Sequence, residues 1–500
     1  MKLHPIALAL VASSVLTVPA HAQSAKDFKL LRQEVQRLRA ELEALKQQSA
    51  KPAPAAAAPV ATAPVAAQVP AEAPAVSTAA LAERVEQVEM KQKDAVVAGD
   101  IPGSFRLPGS ETSIKLYGYV EVNAIHDAKG DNSNNDYSTF LPYVPLNGST
   151  QRKGQTYVHA RTSRLGIESA TPTAAGVLGV KIEGDFNNDP RLGNSAFGKS
   201  SDSILTQQAL NGYNFRLRQA IGTFAGFTVG QTWSTFMDID NAPETVDFNG
   251  PIGNTFIRQP VIRYTYNAPD IGGLTVALEN PVSYAYDNSG SVVSKGFSRS
   301  PDLVLRWDRA FDWGTASLRG VTQEVKVIRD ANPEADDEPV TAFRAAKRGY
   351  GIAGTSLIKV RDSQDSVSLG FTYGQGIGRY LNYIEGAFVD EASNRILMER
   401  AVGITAGYQY KASDTLRSNV VLGWQENYSN DYTRFAVANG LDSGQYGINK
   451  SMYQLHTGVI YNPVKNVDLG AEYIWGQRKT LAGEKGDLSR FNLMARYTFN

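Results

Sequence analysis

The chain has 500 residues, with 50 Lys plus Arg against 50 Asp plus Glu, no cysteine, and a pI near 7.0. Balanced charge gives no basic footprint for a nucleic-acid partner, and a chain without cysteine cannot rest on a disulfide scaffold. No apolar stretch is long enough for a transmembrane helix, and the abundance of Gly, Tyr, Phe and Asn argues against the about three soluble domains that length alone suggests.

In chain order, Lys2 is the only charge before an apolar run from Ile6 to Val18, which Ala20-His21-Ala22 follows. This layout predicts a secretory signal peptide over residues 1–22, cleaved after Ala22. The run is shorter than the ~20 apolar residues that span a bilayer. Over residues 23–48, Phe28, Leu31, Val35, Leu38, Leu42 and Leu45 alternate spacings of three and four, with charged residues between them. That is the core pattern of a short coiled coil, expected in the periplasm. An amphipathic helix folded onto the rest of the chain is the alternative. So short a coil is marginal alone, so association elsewhere must hold an oligomer together. Residues 49–80 are an Ala/Pro-rich linker, extended by its proline density. Residues 81–112 hold a short amphipathic stretch (Leu81, Val85, Val88) and a lead-in broken by Gly99, Pro102, Pro108 and Gly109.

From 113 to 500 the period is two. Val367, Leu369, Phe371 and Tyr373 alternate with Ser366, Ser368, Gly370 and Thr372. Val402 to Tyr410, Val467 to Trp475 and Phe491 to Phe499 repeat the pattern, each with one apolar and one small or polar face. Lipid-facing barrel strands of ~10 residues need this. The predicted strands are 113–125, 155–168, 176–187, 213–223, 225–235, 255–267, 273–283, 300–310, 313–327, 344–360, 365–377, 400–411, 415–427, 450–462, 466–478 and 488–500. Their connections alternate long and short without exception. The long ones include 126–154, 188–212, 236–254, 378–399 and 428–449; Ala225-Gly226 and Asn462 to Lys465 are among the short. Long extracellular loops and tight periplasmic turns sort this way. The fold class expected is therefore all-β: a transmembrane antiparallel β-barrel of about 16 strands with an N-terminal α-helical coiled coil, in an outer membrane. The last strand ends on Tyr497 and Phe499, but Asn500 follows where such barrels usually stop on an aromatic residue.

A barrel of this size encloses water, so what lines it decides the function. Arg164, Arg216, Arg218, Arg258, Arg263, Arg319, Arg417 and Arg496 fall on or beside the polar faces. A charge at the lipid midplane costs ~2–4 kcal/mol, so these residues should point inward, where rings of arginine favour anions. Strand carboxylates are fewer, chiefly Glu121, Glu168, Glu183, Asp468 and Glu472. Ordinary wall salt bridges or subunit contacts are the alternative for the arginines. His159 and Arg161 have the opposite parity to Arg164 in one segment, which a bulge near Thr162–Ser163 or a subunit interface would reconcile. Either loop 188–212 or loop 236–254, the latter with Asp238, Asp240, Glu244 and Asp247, can fold inward as a constriction.

Gly103-Ser104-Phe105-Arg106-Leu107-Pro108-Gly109 leading into Ser113 to Val120, Ser163 to Ile167, Arg216 to Ala220, and Arg258 to Tyr264 resemble the DcaP-like family of trimeric outer-membrane porins. The whole plan of signal peptide, coiled coil, spacer and barrel resembles it too. The resemblance implies a homotrimer, seated in outer-membrane lipid, that passes small anionic solutes, dicarboxylates and aromatic carboxylates among them, by passive diffusion through its channel. The alternatives are a phosphate- or sugar-selective porin, or a barrel serving mainly as an envelope tether. An enzyme is not expected: His126, His159 and His456 sit in no recognisable motif, and no spacing suggests a metal or cofactor.

Overall fold

The computed structural model describes residues 97–130, 141–148, 154–188, 213–331, 342–381 and 386–499, and four single positions, Arg37, Ala40, Glu83 and Glu86, all helical. The signal peptide, the coiled-coil core (Phe28, Leu31, Val35, Leu38, Leu42, Leu45), the linker, most of loop 188–212 and Asn500 lie outside the described residues. The chain divides into two compact units, 1–114 and 115–500. In the first, strand Val97–Ala98 pairs with Phe105–Arg106, which pairs with Ser113–Ile114, a short antiparallel lead-in.

The second unit is an antiparallel barrel. Among the described residues its wall strands are β1 (Ser113–Lys129), β2 (Gln155–His159 and Arg164–Thr173), β3 (Gly176–Asn188), β4 (Asn214–Phe224), β5 (Phe227–Trp233), β6 (Arg258–Ala268), β7 (Gly272–Glu279) and β8 (Asp302–Phe311). The second half holds β9 (Gly314–Arg329), β10 (Phe343–Lys359), β11 (Ser366–Gln375), β12 (Arg400–Ser413), β13 (Leu416–Asn427), β14 (Asn449–Tyr461), β15 (Val467–Thr480) and β16 (Lys485–Phe499). β16 pairs with β1 and closes the cylinder. All sixteen expected strands are present, because one face of each meets lipid and the other the interior. In β12, Ile404, Tyr408 and Tyr410 are exposed outward while Ala401 and Thr405 are buried.

Three details differ from the expectation. β2 is interrupted: residues 160–163 form a turn, Ser163 N–H donating to the Ala160 carbonyl, and this reverses the parity between His159 and Arg164. Loops 280–301 and 376–399 contribute strands Val282–Tyr286, Val292–Phe297, Ala387–Asp390 and Arg395–Met398, a separate small sheet. It packs through Ala387, Val389, Ile396 and Met398 on Val325, Val327 and Phe343, on the inward rows of β9 and β10. Third, the connection between β15 and β16 spans only 481–484, so the alternation of long and short loops fails at its last member. Here both strands extend further than the period shows, since charged Lys479 and Lys485 still pair.

The shortest turns obey backbone rules. Ala225 and Gly226 have φ of 47° and 86°, a two-residue connection whose twist suits a hairpin. Between β13 and β14 a helix, α1 (Asp431–Ala438), starts at Asn430, whose side chain accepts from Thr433 N–H in a reciprocal capping box. Its Tyr432 and Ala436 are buried against Phe388 and Leu397 of the small sheet.

Candidate functional site: the arginine-lined lumen and its inner loop

The loop between β5 and β6, residues 234–257, lies inside the barrel. Its buried backbone donors are met by wall side chains. Glu472 accepts from the N–H of Val246 and Asp247 at 2.9 and 3.0 Å; Gln454 accepts from Ile252 at 2.9 Å and Gln425 from Gly253 at 2.6 Å. At its start, Glu279 accepts from Thr235 N–H at 2.6 Å. The loop can lie this close only because inward positions of the wall are glycine. A Cβ on Gly423 would come 2.3 Å from the Ile252 carbonyl, one on Gly403 2.6 Å from the Gly253 carbonyl, and one on Gly407 2.6 Å from Pro243. The small face of the sequence alternation is thus a bed for this loop as well as a lumen surface. Of the two loops that could turn inward, 236–254 does; 189–212 is outside the described residues.

The predicted arginines fall into three groups. In the first, Arg216 grips Asp185 through Nε and Nη2 at 2.9 and 2.8 Å, while Arg218 bridges Glu183 and Asp185 at 2.9 and 2.7 Å. A register shift between Glu183 and Gly184 brings these residues of β3 and β4 together. Arg164 stands 3.6 Å from Glu183, and Tyr117 donates to the same carboxylate. Arg496 donates to Glu121 at 2.5 Å, and both Arg164 and Arg496 lie over the Tyr119 ring. Arg258 stacks 4.6 Å over Trp233, which Arg218 also approaches, and Arg218 lies over Phe248 of the inner loop. Arg258 shares its strand row with Pro260 and Ile262, not with Arg263, and its Nη1 is buried without a hydrogen-bond partner among the described residues. Four guanidinium groups therefore meet three carboxylates, Glu121, Glu183 and Asp185, in one patch across β16 and β1–β4, and Arg258 of β6 joins it through Trp233.

In the second group Arg319, 4 % exposed, is capped by the inner loop: its Nη1 donates to the Phe236 carbonyl and its Nη2 to Thr355. Arg306, which the sequence reading missed, bonds Asp308 at 2.6 Å and the Met237 carbonyl at 2.6 Å. Its position between Leu305 and Trp307 carried the same alternation signal as the others. The Arg263 side chain makes no hydrogen bond or ion pair among the described residues. In the third, Arg417 holds Glu244 of the inner loop through Nε and Nη2, each at 2.8 Å, beside Asp468. Asp185 and Arg478 were also missed as members of the polar interior, whereas Arg490 falls on the polar row of the last strand. Arg478 is spent on backbone carbonyls of Pro142, Val144 and Gln445.

Among the tryptophans, Trp307, Trp424 and Trp475 stand on outward rows, Trp313 lies in an exposed turn, and Trp233 alone meets the arginines. Of the histidines, His126 contacts Thr156 and His456 contacts Glu472.

The loop's own carboxylates set a pH dependence. Burial works to raise the Glu244 carboxyl, but the Arg417 guanidinium outweighs it and holds the group below its ordinary value of 4.5. Asp238 is likewise held down, with Arg306 and Thr355 overcoming burial. A depressed pKa contributes stability above the unfolded value and loses it as pH falls through the folded one. Conductance should therefore stay constant from pH 8 to about 5, and show loop fluctuations only below about pH 4. Loss of a steady level between pH 7 and 6 would contradict this anchoring.

A family model described as DcaP outer membrane protein matches residues 105–499. No curated protein matches the chain. Among solved structures, the outer membrane channel DcaP of Acinetobacter baumannii is similar at 26 % identity and a TM-score of 0.63, over 81 % of this chain and 100 % of that one. OmpT of Vibrio cholerae, in a trimer form, aligns at 13 % identity and a TM-score of 0.46, over 78 % and 99 %. An anion-selective porin of Comamonas acidovorans aligns at 14 % and 0.44, over 78 % and 100 %.

Proposed function

The chain belongs to the DcaP outer membrane protein family, and from that premise we propose that this porin passes small anionic solutes, such as dicarboxylates and aromatic carboxylates, by passive diffusion. The observation that carries the reading is the patch in which Arg164, Arg216, Arg218, Arg258 and Arg496 outnumber Glu121, Glu183 and Asp185. A surplus of fixed cations along a narrow, water-filled path raises the local concentration of anions and repels cations. Guanidinium forks also suit carboxylates, which take two parallel hydrogen bonds. Three of the five tryptophans, Trp307, Trp424 and Trp475, stand on outward rows, away from any sugar in the lumen. We also infer a homotrimer with the N-terminal segment in the periplasm; a monomeric mass in native gels, or cleavage of that segment by protease added to intact cells, would refute each point.

The test is the reversal potential of the purified protein in a planar bilayer under a KCl gradient. An anion-selective potential is expected. Arg216→Gln with Arg258→Gln should lower the anion-to-cation permeability ratio by about twofold or more. A cation-selective wild-type channel would mean that the wall carboxylates dominate the lumen, and the solute class would be wrong.

A further inference from the structure

On the outward row of β10, Ile352 and Tyr350 are 56 % and 55 % exposed and meet lipid, but the row then continues with Arg348, Ala346 and Arg344, all exposed. The change from apolar to cationic within one step marks the membrane's extracellular boundary. At this level the wall has a notch. β11 ends at Gln375, so residues 343–349 of β10 pair with β9 alone. The notch is a cavity of about 300 Å³ between β10, the start of β12 and the start of α1. Lys347, Gln375, Arg400, Ser429, Asp431 and Arg434 line it.

Its charges are unbalanced. Arg400 donates through Nη2 to the Ser429 carbonyl at 2.8 Å, and its Nε is buried without a partner among the described residues. Lys347 donates to the Ile396 carbonyl at 3.1 Å. Arg348, just outside, donates to the hydroxyls of Ser300 and Thr322. Of these cations and Arg434, only Arg434 has a carboxylate partner among the described residues, Asp431. A polar, concave, positive site opening beside lipid-facing rings, at the depth of headgroups, has the chemistry of an anionic-headgroup receptor.

We propose that this notch binds a phosphate of an outer-leaflet glycolipid, with Arg400, Lys347 and Arg434 as its donors and the acyl chains running down past Tyr350. The proposal uses the outer-membrane assignment but not the solute reading, because Gln375 and Arg400 stand in register with outward Tyr350, while Lys347 lines the notch from the inward row of β10. Each cation near such a surface contributes roughly fivefold in affinity.

Full-length protein in detergent would be incubated with bis-phosphorylated lipid A, with the same lipid dephosphorylated, and with inorganic phosphate as competitor, and bound lipid counted by native mass spectrometry. Phosphorylated lipid A should bind, and the dephosphorylated form should bind at least about tenfold more weakly. The triple variant Lys347→Gln, Arg400→Gln, Arg434→Gln should fall to the same level. The control Arg361→Gln, Lys411→Gln, Lys465→Gln, at the other end of the barrel, should not. Unchanged conductance in both variants shows that they are folded. Equal binding of the two lipids, equal binding by the triple variant, or an equal loss in the control would overturn the proposal. Complete displacement of the lipid by millimolar inorganic phosphate would also overturn it, in favour of a free-phosphate site.

Discussion

Replacing Arg490 with leucine destabilises the barrel by about 3–5 kcal/mol, read as a lower temperature for the gel-mobility shift of the folded form. Arg490 and Asp127 are both fully buried, and the guanidinium bonds the carboxylate through Nε at 2.6 Å and Nη2 at 2.8 Å. They stand directly opposite each other in the pairing of β16 with β1. That pairing is the seam that closes the cylinder, so the last and first strands are locked by a pair 363 positions apart in sequence. The cost arises less from the lost attraction than from stranding the Asp127 carboxylate away from water. The double variant Arg490→Leu with Asp127→Leu should therefore recover most of the loss. If the single variant melts like the wild type, the pair is solvated and contributes little. If the double variant melts lower than the single, the pair itself is the stabilising element.

The second large effect concerns the inner loop. Glu472→Ala with Gln454→Ala removes the acceptors for the backbone N–H groups of Val246, Asp247 and Ile252. Each stranded buried donor costs about 1–3 kcal/mol, enough together to favour a loop released from the wall. The expected record in a planar bilayer is a change from one steady conductance to several interconverting levels. The channel should still open, because β14 and β15 keep their backbone ladder. The glycine bed offers an independent check. In Gly423→Leu the side chain would meet the Ile252 carbonyl and drive the loop toward the axis, so conductance should fall instead. A steady, wild-type conductance in both variants would show that the loop does not limit the path.

The strand pattern was legible because its cause is local. Along β11, β12, β15 and β16, each residue faces either lipid or the interior, and a period of two records that choice in a few consecutive positions. The same rule put Arg164, Arg216, Arg218, Arg263, Arg319, Arg417, Arg490 and Arg496 on polar rows, and it holds equally for Asp185 and Arg306. The interruption at 160–163 left its trace in the clash of parity between His159 and Arg164.

What only the tertiary structure decided has a different physical origin. Whether a charge on a polar row is spent or free depends on which strand lies beside it and in what register. Arg216 and Arg218 are spent on Asp185 and Glu183, while Arg263 has no such partner among the described residues. The inner loop's place depends on hydrogen bonds between residues 172 to 226 positions apart, and on glycines whose purpose appears only when Ile252, Gly253 and Pro243 lie against them. The small sheet at the mouth and the capped helix beside it are held by contacts between three separate loops. A strand's two faces are written in its own residues, whereas the contents of the lumen are set by closing the sheet into a cylinder, which brings distant rows face to face.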